Sequence, residues 1–246
     1  MFGNLPPVIK NLLIINVLVF LADQVISMRL GIDIGNWLAL HNFKSTFFGP
    51  IQLVTYMFMH GNVTHIFFNM FALVMFGRVL EQVWGGKRFL IFYLVTGIGA
   101  ALCQMCVMAI DTHMLMSSLS PETVDAVMKN GYDILTQGKN YADPTLGRLN
   151  LVLNTPTVGA SGAVFGVLLA FGMMFPNVKL MLIFPPIPIK AKWFVLGYGL
   201  IELMAIIVPA ANDNVAHFAH LGGMLFGFLL IRYWNKRIDT NGDIYF

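Results

Sequence analysis

Six apolar stretches dominate this chain and leave it few possible folds. They cover roughly residues 8–26, 63–84, 89–110, 158–175, 193–210 and 215–234. About 20 mostly apolar residues in a helix are enough to cross the hydrocarbon core of a bilayer. Lipid offers no partner for a backbone N–H or C=O, so each such stretch must satisfy its own backbone as a helix. Composition points the same way. Of 246 residues, 57% are hydrophobic and only 11% charged, against about 25% charged in soluble domains. The expected fold is an all-α membrane protein, one domain over residues 1–246 built as a bundle of six transmembrane helices.

The first stretch resembles a signal peptide only superficially. One cation, Lys10, precedes the apolar run from Asn11 to Val25, but Ile26, Ser27 and Met28 offer no small-residue cleavage pattern. It reads as a retained span. Orientation follows from the cations, because short cytoplasmic loops concentrate Lys and Arg. With both termini in the cytoplasm, the inner segments carry Lys10, Arg78, Lys87, Arg88, Lys179, Lys190, Lys192, Arg232, Lys236 and Arg237. The longer outer loops carry Arg29, Lys44, Lys129, Lys139 and Arg148. Spans two, four and six therefore run inward. The protein is expected to be an integral multi-pass protein of a bacterial inner membrane.

The outer loop 27–62 holds Trp37, Phe43, Phe47, Phe48 and Tyr56 among few charges, which suits a segment lying partly in the membrane interface. Residues 111–157 are polar and rich in turn formers and read as a water-exposed insert. The net charge is +3 without a basic run, so no nucleic-acid partner is expected. Cys103 and Cys106 have CxxC spacing but lie inside an apolar span with no βαβ context, and read as packing.

Polar groups within a span are costly and suggest function. His65 and Asn69, four apart, share one helical face near the start of span two. Span four opens on Gly159-Ala160-Ser161-Gly162-Ala163, and span six opens on His217 and His220. All three inward spans carry these groups within their first two turns, so they meet at similar shallow depth. A serine hydroxyl needs a base to become a nucleophile, and histidine is the usual one. Close approach of two helices in lipid needs small residues. Gly162 and Gly166 supply them on one span; Gly223 and Gly227, on the face of His220, supply them on another. His217 lies near that face too, and spacing alone does not exclude it. Asn69, His65 and the backbone N–H of Ser161 are candidate oxyanion donors.

Taken together, His60-x4-His65-x3-Asn69, Gly159-Ala160-Ser161-Gly162 and Ala219-His220-Leu221-Gly222-Gly223-x3-Gly227 resemble the signatures of the rhomboid intramembrane serine proteases, in order and in placement on spans. Gly77-x3-Glu81 resembles that family's GxxxE. The resemblance implies a Ser161–His220 dyad without a third acid, with His65 and Asn69 in the oxyanion hole and a structural hydrogen-bonding role for His60. It implies that Phe68 lines a lateral gateway, that the substrates are transmembrane helices cut near their outer ends, and that no cofactor or metal is needed. Three positions depart from the pattern. Ile51-Gln52 stands where many relatives have Trp-Arg, Phe165 stands where some have a tyrosine stacked on the histidine, and the insert 111–157 is longer than the family core.

Other readings compete. His60 and His217 read first as structural histidines, and Glu202 as a buried, hydrogen-bonded or protonated carboxyl with no evident partner. A transporter would place acids or broken helices near the bilayer midplane. A zinc enzyme using His60, His65, His217 and His220 would be expected to show H-E-x-x-H, which does not occur. A catalytically inactive relative that only binds helices is the remaining alternative, and the intact serine and histidine argue against it.

Overall fold

The computed structural model describes residues 5–182, 186–208 and 215–241. The protein is helical. In chain order the elements are α1 (Pro7–Leu30), the short α2 (Gly35–Leu38) and α3 (Gln52–Thr55), and a 3-10 turn at Tyr56–Phe58. Then come α4 (Val63–Ala72), a π turn at Leu73–Gly77 and α5 (Arg78–Trp84), which together form one helix. The rest are α6 (Gly86–Ser117), α7 (Pro121–Thr136), α8 (Pro144–Asn154), α9 (Ser161–Met174), the antiparallel pair β1 (Lys179–Met181) and β2 (Pro188–Lys190), α10 (Ala191–Ile207) and α11 (His217–Asn241). Among the described residues, Pro7–Leu30, Val63–Trp84 and Gly86–Ser117 are long and apolar enough to cross a membrane, and Ser161–Met174 is a shorter apolar helix. Residues 209 and 210, the end of the expected fifth span, lie outside the described residues.

Local signals set the helix ends. Pro7 starts α1, where a missing N–H costs nothing, and Gly31 ends it in the left-handed conformation (φ 64°) with its N–H on the Ser27 carbonyl. The Asn62 side chain caps α4 by accepting from the His65 N–H at 2.8 Å.

The apolar residues face two ways. α9 is the central helix, packed by α4, α5, α6, α10 and α11, and Ala163, Val167 and Ala170 on it are fully buried. On α1 and α10 the large apolar side chains Leu18, Leu21, Leu200 and Ile201 are exposed. A soluble protein rarely shows so much contiguous apolar surface, whereas a bilayer takes it as its natural partner.

At the end of the bundle away from Ser161, the GxxxE residues tie α1 to span two. Glu81 accepts from the Val8 and Ile9 N–H groups at 2.9 and 2.8 Å, which places a carboxylate at a helix N-terminus with unpaired donors. A Cβ on Gly77 would come within 2.6 Å of Ile9. Arg88 stacks over Trp234 at 4.3 Å on the same side.

Two expectations change. The third span runs past residue 110 to Ser117, and the insert is ordered helix. Ser120 and Asp143 cap α7 and α8, each followed by proline at the first helical position, and Val127, Leu149 and Leu153 form a small core beneath them. Low hydrophobicity and many turn formers hid these caps. The loop 27–62 rests on this insert: Asn42 donates to Thr112 at 2.8 Å, and Phe47 packs on Tyr132 at 4.8 Å. Trp37 and Phe43 are exposed, as interface residues would be. Tyr56 instead is buried in the protein, its hydroxyl donating to the Gly97 carbonyl at 2.7 Å. Gln52 anchors the loop. Its amide donates to the Phe47 carbonyl at 2.7 Å and the Trp37 carbonyl at 3.3 Å, and it accepts from the His41 N–H at 3.2 Å.

Candidate active site

The turn before α9 is built for close approach. Gly159 adopts φ 122°, a conformation that residues with a Cβ rarely accept. Its N–H donates to the Tyr56 carbonyl at 2.9 Å. A Cβ there would lie 2.7 Å from the His65 ring. Glycine therefore lets His65 sit over the turn, next to Ser161, the first residue of α9.

The two GxxxG pairs meet. A Cβ on Gly223 would overlap the Gly162 carbonyl, and one on Gly227 would stand 3.3 Å from the Gly166 Cα. α9 and α11 thus touch backbone to backbone. This contact brings His220 Nε2 to 2.8 Å from Ser161 Oγ. The Phe165 ring stacks on His220 at 4.2 Å and 8°, and His220 is only 8% exposed. A neutral imidazole nitrogen facing a serine hydroxyl at this distance can take its proton.

The other candidates fall around this pair. Asn69 is buried, and its amide donates to the His65 carbonyl of its own helix at 3.1 Å. His60 lies edge-on to His65 at 5.1 Å. Neither His60 ring nitrogen has a hydrogen-bond partner of good geometry among the described residues, and the Phe58 backbone is close enough to favour its charged form. Burial, and then the neighbouring His65, push His60 down to about 4 against a smaller opposing pull from the Phe58 backbone, so the ring is neutral. Phe68 is exposed beside Phe67. Cys103 packs where a Cβ on Gly222 would stand.

One neighbour of this pair was missed. Glu202 on α10 does have partners: His220 Nδ1 is 2.9 Å and His217 Nδ1 2.5 Å from its Oε2. Glu202 and His217 are 15 residues apart on separate helices, so no local spacing could join them. Its position inside an apolar span was the available signal. Among the described residues, Glu202, His217 and His220 are also the group whose ligand atoms lie close enough to hold a metal ion, within 4.8 Å of one another. The four-histidine set does not assemble: His60 and His65 are not in this group.

The chain matches the Rhomboid domain family over residues 49–237. It is 30% identical to RHOMBOID-like protein 12, mitochondrial, of Arabidopsis thaliana over 217 residues, 88% of this chain and 55% of that protein. It is 27% identical to Rhomboid protein 1, mitochondrial, of Saccharomyces cerevisiae, covering 77% of this chain and 43% of that one. It is 26% identical to Rhomboid protease AarA of Providencia stuartii, covering 71% and 52%. The chain spans about half the length of these curated relatives.

Proposed function

This chain belongs to the rhomboid family, and from that premise we propose that it is an intramembrane serine endopeptidase that cleaves transmembrane helices near their outer ends. The observation that carries the reading is the 2.8 Å contact between His220 Nε2 and Ser161 Oγ, held by glycine-to-glycine packing and covered by Phe165. A relative named as a protease supports it.

The chemistry follows from the geometry. Ser161 Oγ attacks the scissile carbonyl while its proton passes to His220 Nε2. The carbonyl electron pair moves to oxygen, and the Ser161 N–H at the start of α9 faces the developing charge. His65, beside the same turn, is a second donor, and Asn69 a third once its amide turns from the His65 carbonyl. The imidazolium then protonates the leaving nitrogen as the C–N bond breaks. Water repeats the cycle on the acyl-enzyme.

The substrate reaches the site sideways from lipid, past Phe68. Six spans with both termini on the cytoplasmic side suit the charge pattern. The protein is a membrane protein; the relatives named are mitochondrial and bacterial, and they do not support a bacterial inner membrane over the alternatives. The test is cleavage of a transmembrane test substrate by purified protein. Ser161→Ala should lose on the order of 10⁴-fold or more in turnover with an unchanged melting temperature. Normal cleavage by that variant overturns the proposal; a wild-type protein that binds but never cleaves favours an inactive helix-binding role.

A further inference from the structure

The family resemblance implies two catalytic side chains, yet the structure sets a third group against them. Glu202 projects from α10 and is 6% exposed. Its Oε2 is the shared partner of two imidazoles, His220 Nδ1 at 2.9 Å and His217 Nδ1 at 2.5 Å. The far nitrogen of His220 meets Ser161 Oγ at 2.8 Å. Carboxylate, imidazole and hydroxyl therefore stand in a continuous line drawn from three helices, α10, α11 and α9.

A neutral imidazole carries one proton on one of two nitrogens. With the proton on Nε2, His220 cannot accept from Ser161. A carboxylate only accepts hydrogen bonds, so Glu202 at Nδ1 requires the proton there and leaves the Nε2 lone pair aimed at Oγ. When the serine proton arrives, the ring becomes cationic in a water-poor site. A carboxylate at 2.9 Å then offsets that charge, and at low dielectric such an offset is large. His217 holds the same oxygen from one helical turn earlier and so keeps the carboxylate aimed.

We propose that Glu202 is a positioning residue of this active site, fixing His220 in its Nδ1-protonated tautomer and stabilising the imidazolium formed during attack. The proposal rests on the Ser161–His220 reading above. The proton balance is closed without a further reactant: the serine proton moves to Nε2 and on to the leaving nitrogen. The Nδ1 proton stays on His220, hydrogen-bonded to Glu202, which remains unprotonated throughout.

The test compares wild type, Ser161→Ala, Glu202→Gln and Glu202→Asp as purified full-length chains on one transmembrane substrate. It reads kcat, KM, melting temperature and the rate of fluorophosphonate labelling of Ser161. Glu202→Gln keeps size and shape but removes the charge and the acceptor-only character. Its kcat and labelling rate should fall together by about 10²-fold or more, with KM within about twofold. Glu202→Asp keeps a carboxylate on a shorter arm, and its kcat per folded molecule should exceed that of Glu202→Gln. A Glu202→Gln enzyme with kcat within about threefold of wild type overturns the role. If Glu202→Gln fails to fold, Glu202→Asp decides: turnover lost only in proportion to unfolded protein means a structural carboxyl and also overturns it. An active Ser161→Ala enzyme would instead defeat the serine reading itself. An inactive Ser161→Ala beside a fully active Glu202→Gln would remove Glu202 alone.

Discussion

Adding one methyl group at Gly223 should separate the nucleophile from its base. A Cβ there would stand 2.7 Å from the Gly162 carbonyl carbon and closer still to its oxygen, where ordinary contacts begin at 3.4 Å. The obstacle is backbone, which cannot rotate away. α11 must therefore move from α9 by more than about 0.7 Å, the shortfall at the carbonyl carbon alone, because the oxygen stands nearer. His220 is one turn away on the same helix. If it moves with the helix, its 2.8 Å bond to Ser161 stretches beyond about 3.5 Å, past what counts as a hydrogen bond. Overpacking of this kind costs about 1–3 kcal/mol of stability, and a misplacement near 1 Å costs on the order of 10²-fold in rate. Gly223→Ala should therefore lower kcat by about 10²-fold or more per folded molecule and also lower the melting temperature. Gly197→Ala is the control, because a Cβ there meets nothing within 4 Å; it should leave both unchanged. The assay is turnover and thermal melting on the same purified samples. A Gly223→Ala enzyme with wild-type turnover would refute the idea that backbone contact between α9 and α11 sets the site.

The two histidines of α11 should separate cleanly: His220→Ala should lose on the order of 10⁴-fold or more in turnover, while His217→Ala retains measurable activity. Gln52→Ala strands the buried partners of its amide, and should cost about 1–3 kcal/mol of stability with turnover per folded enzyme little changed, read by denaturation and cleavage together. EDTA and 1,10-phenanthroline should leave cleavage intact, because Glu202, His217 and His220 are engaged as a hydrogen-bonded acid and base; loss on chelation restored by zinc would turn that cluster into a metal site.

Much of the arrangement around Ser161 was legible because membrane sequences carry strong signals. Length and hydropathy marked α1, α4 with α5, and α6. The spacing of Gly162, Gly166, Gly223 and Gly227 pointed to two helices in backbone contact, which is how α9 and α11 pack. Phe165 on His220 was implied by the family resemblance, at the place where some relatives carry a tyrosine. Other features depended on tertiary pairing that no local pattern encodes. Glu202 lacked an evident partner because His217 and His220 reach it from another helix. Gln52 looked like a departure from a pattern, yet its amide gathers three backbone groups of the outer loop. α7 and α8 were hidden because their apolar face buries only a small core, so average polarity outweighed the capping signals at Ser120 and Asp143.

The central claim is that His220 activates Ser161. Its most direct measurement is covalent labelling by a fluorophosphonate in detergent, with the modified residue mapped by mass spectrometry. The expected result is one adduct, on Ser161, formed by the wild-type chain and slowed severely by His220→Ala, with His217→Ala still labelled. An adduct elsewhere, or equal labelling of Ser161 with and without His220, would contradict the account.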